Sequence, residues 1–248
     1  MITMRRSGDR GHFDHGWLDT WHTFSFADYH DPEQMGFSKL RVLNQDRIQP
    51  GQGFGTHGHR NMEIITYVLD GVLEHRDSMD NGSRIHPGEI QLMSAGSGVT
   101  HSEFNGSDRD RLHLLQMWVL PERTGTPPRY DQKRFPEAER QGRLRLLVSP
   151  DGRDGSIVIG QDVNLFGGLL RTGESVRQDL DPARSAWLHV ARGRLKLNGT
   201  ALEAGDGAGI RGESRLEVAG GDAGGVAGRV AGDNAGDEAA EFVLFDLP

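Results

Sequence analysis

The chain of 248 residues contains no cysteine, which excludes a disulfide framework and any thiolate metal site, and nothing in it points to an oxidising compartment. It has no apolar run long enough to span a bilayer, and no apolar segment follows the basic Arg5-Arg6 in the way a secretory leader requires. A cytoplasmic location with no membrane attachment is the expectation. Positive charge is also short. Lys plus Arg number 28 against 36 for Asp plus Glu, and the formal net charge of −8 opposes nonspecific attraction to nucleic-acid phosphates or an anionic membrane. Direct nucleic-acid binding is therefore not expected, and a protein partner suits the charge better.

Glycine, by contrast, is abundant at 35, but many of these fall in residues 219–238, where Ala-Gly-x-x recurs five times. That segment has almost no apolar mass to bury, so a flexible Ala-Gly-rich loop is expected at about 219–240. Its aspartates, at 222, 233 and 237, lack the regular placement of a calcium-binding glycine-aspartate repeat. Elsewhere, short apolar runs at 64–69, 72–76, 89–93 and 112–119 are punctuated by Asp70-Gly71, Asn81-Gly82 and Pro87-Gly88. This predicts an all-β barrel or sandwich. A further strand over 38–49, with Leu40, Val42 and Ile48 inward, ends at Pro50-Gly51. The chain turns polar after Leu120-Pro121, and the strand pattern resumes at Leu144. Two domains are expected, at 1–125 and 141–248, with a linker over 126–140.

The stretch from Gly51 to Asn105 carries the chemistry. In an extended backbone, residues two apart share a face at roughly 6.6 Å, so His57 and His59 point one way, and so do His101 and Glu103. Strands about 4.8 Å apart can bring two such pairs onto one ion with bonds of about 2.0 to 2.2 Å. Glu63 would lie about 13 Å beyond His59 on a straight strand, too far to share that ion unless the chain turns, and is expected near a strand end or behind the ligands. His12, His15, His22 and His30 sit in an aromatic context, and the alternation His22, Phe24, Phe26 on one face predicts packing. His113, among leucines, reads as a core or lumen histidine and not as a fifth ligand.

The same stretch resembles the two cupin motifs: Gly51, His57-x-His59 and Glu63, then Gly88 through Gly98-x-x-His101-x-x-x-Asn105. Gly71 comes one residue later than the usual spacing, Ser94 stands where proline is common, and two extra residues precede His101. These departures resemble the pirin branch of the cupins. So do His15-Gly16-Trp17-Leu18-Asp19-Thr20-Trp21-His22, Met35-Gly36-Phe37, Phe54-Gly55-Thr56-His57 and Leu112-His113-Leu114-Leu115-Gln116-Met117-Trp118. The resemblance is strong over Met1 to about Arg145, and weaker beyond.

It implies a bicupin of two jelly-roll-like β-barrels, with one metal held by His57, His59, His101 and Glu103 in the first. It implies Fe(II) as the metal, with Mn, Ni, Cu or Zn as alternatives. It further implies cleavage of a flavonol such as quercetin, or of a catechol-like compound, by O₂, with Glu103 as the catalytic residue taking the 3-hydroxyl proton. A non-enzymatic, iron-dependent regulator acting on a protein partner is the alternative, and a zinc or manganese sugar isomerase a more distant one. In the second half, aligning Gly193 with Gly71 and Gly205 with Gly88 puts Asp179, Asp181 and Val218 opposite His57, His59 and His101, so no metal is expected there.

Overall fold

Two sheets of seven strands and two of four make up the structure, a computed structural model that describes residues 1–221 and 239–248. The first large sheet runs, in spatial order, Arg129–Arg134, Glu89–Ser94, Glu63–Asp70, Leu112–Val119, Leu40–Ile48, Leu18–His22 and Gly11–Asp14. Its companion small sheet runs Gly53–His59, Val99–Asn105, Leu73–Asp77 and Gly82–Ile85. The second half repeats the plan, with strands Ser185–Arg192 and Ala240–Leu247 central in its large sheet and Ser175–Asp179 beside Arg215–Gly220 in its small one. The all-β bicupin architecture therefore holds.

Strand alternation assigns each large sheet two duties. In the first, Leu43, Ile65, Tyr67, Leu115 and Met117 join Leu147, Leu165, Trp187, Val243 and Phe245 of the second half in one buried core. The large sheets thus pack on each other through these faces. The alternate residues point into the lumens. Leu188, Val190, Phe242 and Leu244 fill the second lumen together with Leu195, Leu197, Leu216 and Val218 of its small sheet. The first lumen packs aliphatic side chains such as Ile48, Val68, Leu73 and Leu114 at one end. Ile64, Met93 and Val99 form a second apolar group, and polar residues and a cavity occupy the space that remains.

Three features depart from the sequence reading. The stretch 126–140 holds a strand, Arg129–Arg134, paired with Glu89–Ser94 of the first large sheet, and a helical turn, Glu137–Arg140. Its residues are polar because the strand lies at the sheet edge, with Arg129, Asp131, Lys133 and Arg134 exposed. The N-terminal strand Ile2–Arg5 pairs with Gly207–Arg211 and so completes the second half's sheet. Most of the expected Ala-Gly loop, residues 222–238, lies outside the described residues. Its margins are strand: Ala219 and Gly220 end Arg215–Gly220, and Ala240 begins Ala240–Leu247.

Candidate metal centre

Strands Gly53–His59 and Val99–Asn105 are antiparallel neighbours, with His101 opposite His57 and Val99 opposite His59. An irregularity between His101 and Glu103 then sets Glu103 against Phe54. Gly53 permits the close approach there, since a Cβ at this position would lie 2.2 Å from the carbonyl oxygen of Glu103. On the other side of the 99–105 strand, His75 stands opposite Glu103, so a fourth histidine joins the region from a strand whose sequence gave no metal signal.

The imidazoles of His57, His59 and His101 meet with ring centroids 4.5 to 4.8 Å apart. The Nδ1–H of His57 donates to the carbonyl of Gly55 at 2.8 Å, which leaves its Nε2 a lone pair, and that atom lies 3.1 Å from Nε2 of His101. Two ligand atoms at a right angle about an ion with bonds of about 2.1 to 2.2 Å are separated by about the same distance. Burial, reinforced by the neighbouring imidazoles, lowers the pKa of His59 to about 4 and that of His101 to about 3, so both are neutral at ordinary pH and able to serve as ligands. The donor set fits a divalent cation. His57, His59 and His101 have ligand atoms all within 4.8 Å of one another, and so do His101, Glu103 and His75. His101 is common to both groups, and Glu103 belongs only to the second.

A transverse row of polar side chains on the inner face of the large sheet fixes Glu103. Register places Gln91, Thr66, Gln116, Asn44 and His22 side by side on five successive strands. Gln91 Nε2 donates to Glu103 Oε1 and Gln116 Nε2 to Oε2, both at 2.9 Å, while Thr66 Oγ1 lies 3.4 Å from Oε1. Behind Glu103, His75 is fully buried, with Nε2 3.1 Å from Asp77 Oδ2 and Nδ1 4.0 Å from Glu103 Oε1. Sequence inspection passes over this support, because register between strands far apart in the chain creates the row.

The histidine cluster opens onto a cavity of about 430 Å³. Trp17, Phe26, Phe54, Ile64 and Trp118 provide its apolar surface, and Asn44, Asp46 and Gln116 its polar side. Trp118 meets His59 edge to face at 4.9 Å and Phe26 at 5.2 Å. Asp46, on the strand next to Gln116, escaped the sequence reading, which followed only the apolar alternation of 38–49. Thr20 Oγ1 donates to its Oδ1 at 2.5 Å. Burial raises the pKa of Asp46 to about 7, against the pull of Thr20 and with a smaller push from the charge of Glu103.

The remaining candidates lie elsewhere. Glu63 is buried at a strand end, where Ser94 Oγ donates to its Oε2 at 2.7 Å and the amide of Gly160 at 3.3 Å, so it ties the two halves together. His113 faces the core between the sheets, with Nε2 2.9 Å from Gln45 Nε2. His22 packs at 5.3 to 5.6 Å from Phe26 and Phe13. Phe24 does not share its face, because the strand ends at His22 and Phe24 turns into the core between the sheets against Trp187. In the second half Asp179 pairs with Arg215 at 2.7 Å and Val218 is core, so these counterparts of the candidate residues are salt bridge and hydrocarbon.

Comparison with known proteins fits this geometry. Residues 3–119 match the Pirin family model, and residues 146–226 match the model described as the quercetinase C-terminal cupin domain. A curated Escherichia coli protein named quercetin 2,3-dioxygenase is 50% identical over 219 residues, 88% of this chain and 93% of that protein. The chain belongs to the pirin family. A pirin-like protein of Caulobacter vibrioides is 40% identical over 219 residues, 88% of this chain and 94% of its own length. The crystal structure of the Escherichia coli pirin YhhW in complex with nickel(II) superposes with a TM-score of 0.89 at 45% identity, covering 100% of this chain and 99% of that one. Among the described residues, no helix is long and apolar enough to cross a membrane.

Proposed function

We propose that this pirin is a metal-dependent dioxygenase that cleaves flavonols such as quercetin at the 2,3 bond with O₂. His57, His59, His101 and Glu103 are proposed to hold one divalent metal in the first of two domains, in outline residues 1–125 and 141–248. Fe(II) is the proposed ion, ahead of Mn, Ni, Cu and Zn, and the cytoplasm the proposed location. The observation that carries this reading is three imidazoles gathered at the wall of an aromatic-lined cavity within the size range of small-molecule sites. A regulator that acts only through its surface has no need of such a cavity.

A divalent metal at this position supplies Lewis acidity toward substrate oxygens and a site for reaction with O₂. The protein's own part is orientation, exclusion of water and proton transfer. Trp17, Phe26, Phe54 and Trp118 line a slot that suits flat aromatic rings and keeps water out. Gln91 and Gln116 fix the carboxylate of Glu103 by one amide N–H at each oxygen. Oε1 also faces Thr66 Oγ1 at 3.4 Å, so Oε2 is the oxygen that would serve the metal or take the 3-hydroxyl proton of a flavonol. Mass balance tests the reading. Metal-loaded protein given quercetin in air should consume one O₂ and release one carbon monoxide per flavonol. Metal binding with no consumption of any flavonol in a hydroxylated panel would refute it.

A further inference from the structure

The cavity has one carboxylate whose position the metal does not explain. Asp46 lines it from the large sheet, while His57, His59 and His101 line it from the small sheet across the lumen. It is 4% exposed, and among the described residues the one hydrogen bond to its carboxylate comes from Thr20 Oγ1 to Oδ1. Its Oδ2 has no hydrogen bond and is not fully enclosed, so it faces the cavity, where a donor can meet it. The surroundings limit what that donor can be. Trp17, Phe54 and Trp118 line the same cavity with aromatic rings, so the ligand that reaches Asp46 is itself flat and apolar apart from its donors.

We propose that Asp46 is a specificity-determining residue, accepting a hydrogen bond from a ring hydroxyl of the substrate remote from the unit that reacts at the histidine cluster. This rests on the flavonol reading above. The histidine cluster and Glu103 serve the 3-hydroxyl and 4-carbonyl unit that every flavonol shares, whereas Asp46 distinguishes flavonols by the hydroxyls on their rings. A site built to hydrogen-bond a hydroxyl discriminates strongly against the analogue that lacks it, because the protein group is then left buried and unpaired.

The test pairs two ligands with two variants. Quercetin carries ring hydroxyls, and 3-hydroxyflavone keeps the reactive unit without them. Binding is read without turnover, under exclusion of O₂, from quenching of tryptophan fluorescence in metal-loaded protein, since Trp17 and Trp118 line the cavity. Asp46→Leu should weaken quercetin by about ten- to a hundredfold and 3-hydroxyflavone by less than about threefold. Asp46→Asn, which keeps an acceptor oxygen, should recover part of the loss. In air, Asp46→Leu should raise KM for quercetin more than it lowers kcat. Equal weakening of both ligands, or of neither, overturns the inference while turnover by the parent protein leaves the proposed function standing. If the parent shows the quercetin preference and Asp46→Leu abolishes it, but no O₂ is consumed, Asp46 keeps its role and the dioxygenase reading falls.

Discussion

Glu63 and Glu103 are both buried carboxylates, and their partners separate their duties. Glu103 receives two amide donors and lies beside His101 and His75, whereas Glu63 receives Ser94 and the backbone of Gly160. Glu103→Gln should therefore lose most of its metal and all turnover, while Glu63→Gln stays loaded, with a loss of about ten- to a hundredfold in affinity at most. Metal analysis after dialysis distinguishes them, and an empty Glu63→Gln protein beside a loaded Glu103→Gln one would reverse the assignment. Asp46 gives a second handle. Its pKa is raised from 3.8 to about 7 by burial, so between those values the folded protein holds a proton that the unfolded chain releases. Its contribution is fully favourable below pH 3.8 and is lost as pH rises to 7. The stability of metal-free Asp46→Asn relative to the parent should accordingly climb over pH 4 to 7 and level off above. A flat difference across that range in chemical denaturation would contradict the burial argument. Spacing in the chain singles out His57, His59, His101 and Glu103 as candidates, because two-residue periodicity is local. It could not find His75 or Asp46, because each acquires meaning only from the strand opposite.

At the scale of the elements, the site depends on how closely strands Gly53–His59 and Val99–Asn105 approach. Gly53→Ala would push a methyl group against the backbone of Glu103 and Phe104, where 2.2 and 2.5 Å leave no room. The backbone must move apart, at a cost of about 1–3 kcal/mol, and His57 moves with it. Loss of metal affinity together with a lowered melting temperature is the expected outcome, and unchanged metal binding would show that the strands tolerate separation. The transverse row makes a companion prediction. Gln116→Leu keeps the strand but removes the donor to Glu103 Oε2, and metal affinity should fall by about ten- to a hundredfold in a chelator competition. The strands themselves were legible from alternation and from their Gly-containing turns. The row was not, since five strands contribute one residue each and no stretch of chain contains the pattern.

Across the whole molecule, the two halves are joined by a shared hydrophobic core that contains a buried polar knot. Arg140 donates to Glu241 Oε1 at 2.7 Å, and Tyr67 hydrogen-bonds both. Glu241→Leu leaves the Arg140 guanidinium buried without its carboxylate, which costs about 3–5 kcal/mol. Calorimetry should show a single transition shifted down as a unit, because the core that contains Tyr67 belongs to both halves. Two separate transitions in the parent protein would mean that the halves fold independently. The repeated barrel plan was legible in the return of the strand pattern after Leu144. The exchange of edge strands was not. Polar composition marks 126–140 as linker-like, yet a sheet edge also calls for polar residues, and nothing local tells the N-terminal strand to cross to the second half.

The decisive measurement is oxygen uptake on addition of quercetin to the protein reconstituted with Fe(II), run beside His101→Ala treated identically. Rapid uptake by the parent, with none above background in the variant, is the predicted result. Uptake that is equal in the two proteins, or absent from a fully metal-loaded parent, would contradict a dioxygenase centred on His57, His59, His101 and Glu103.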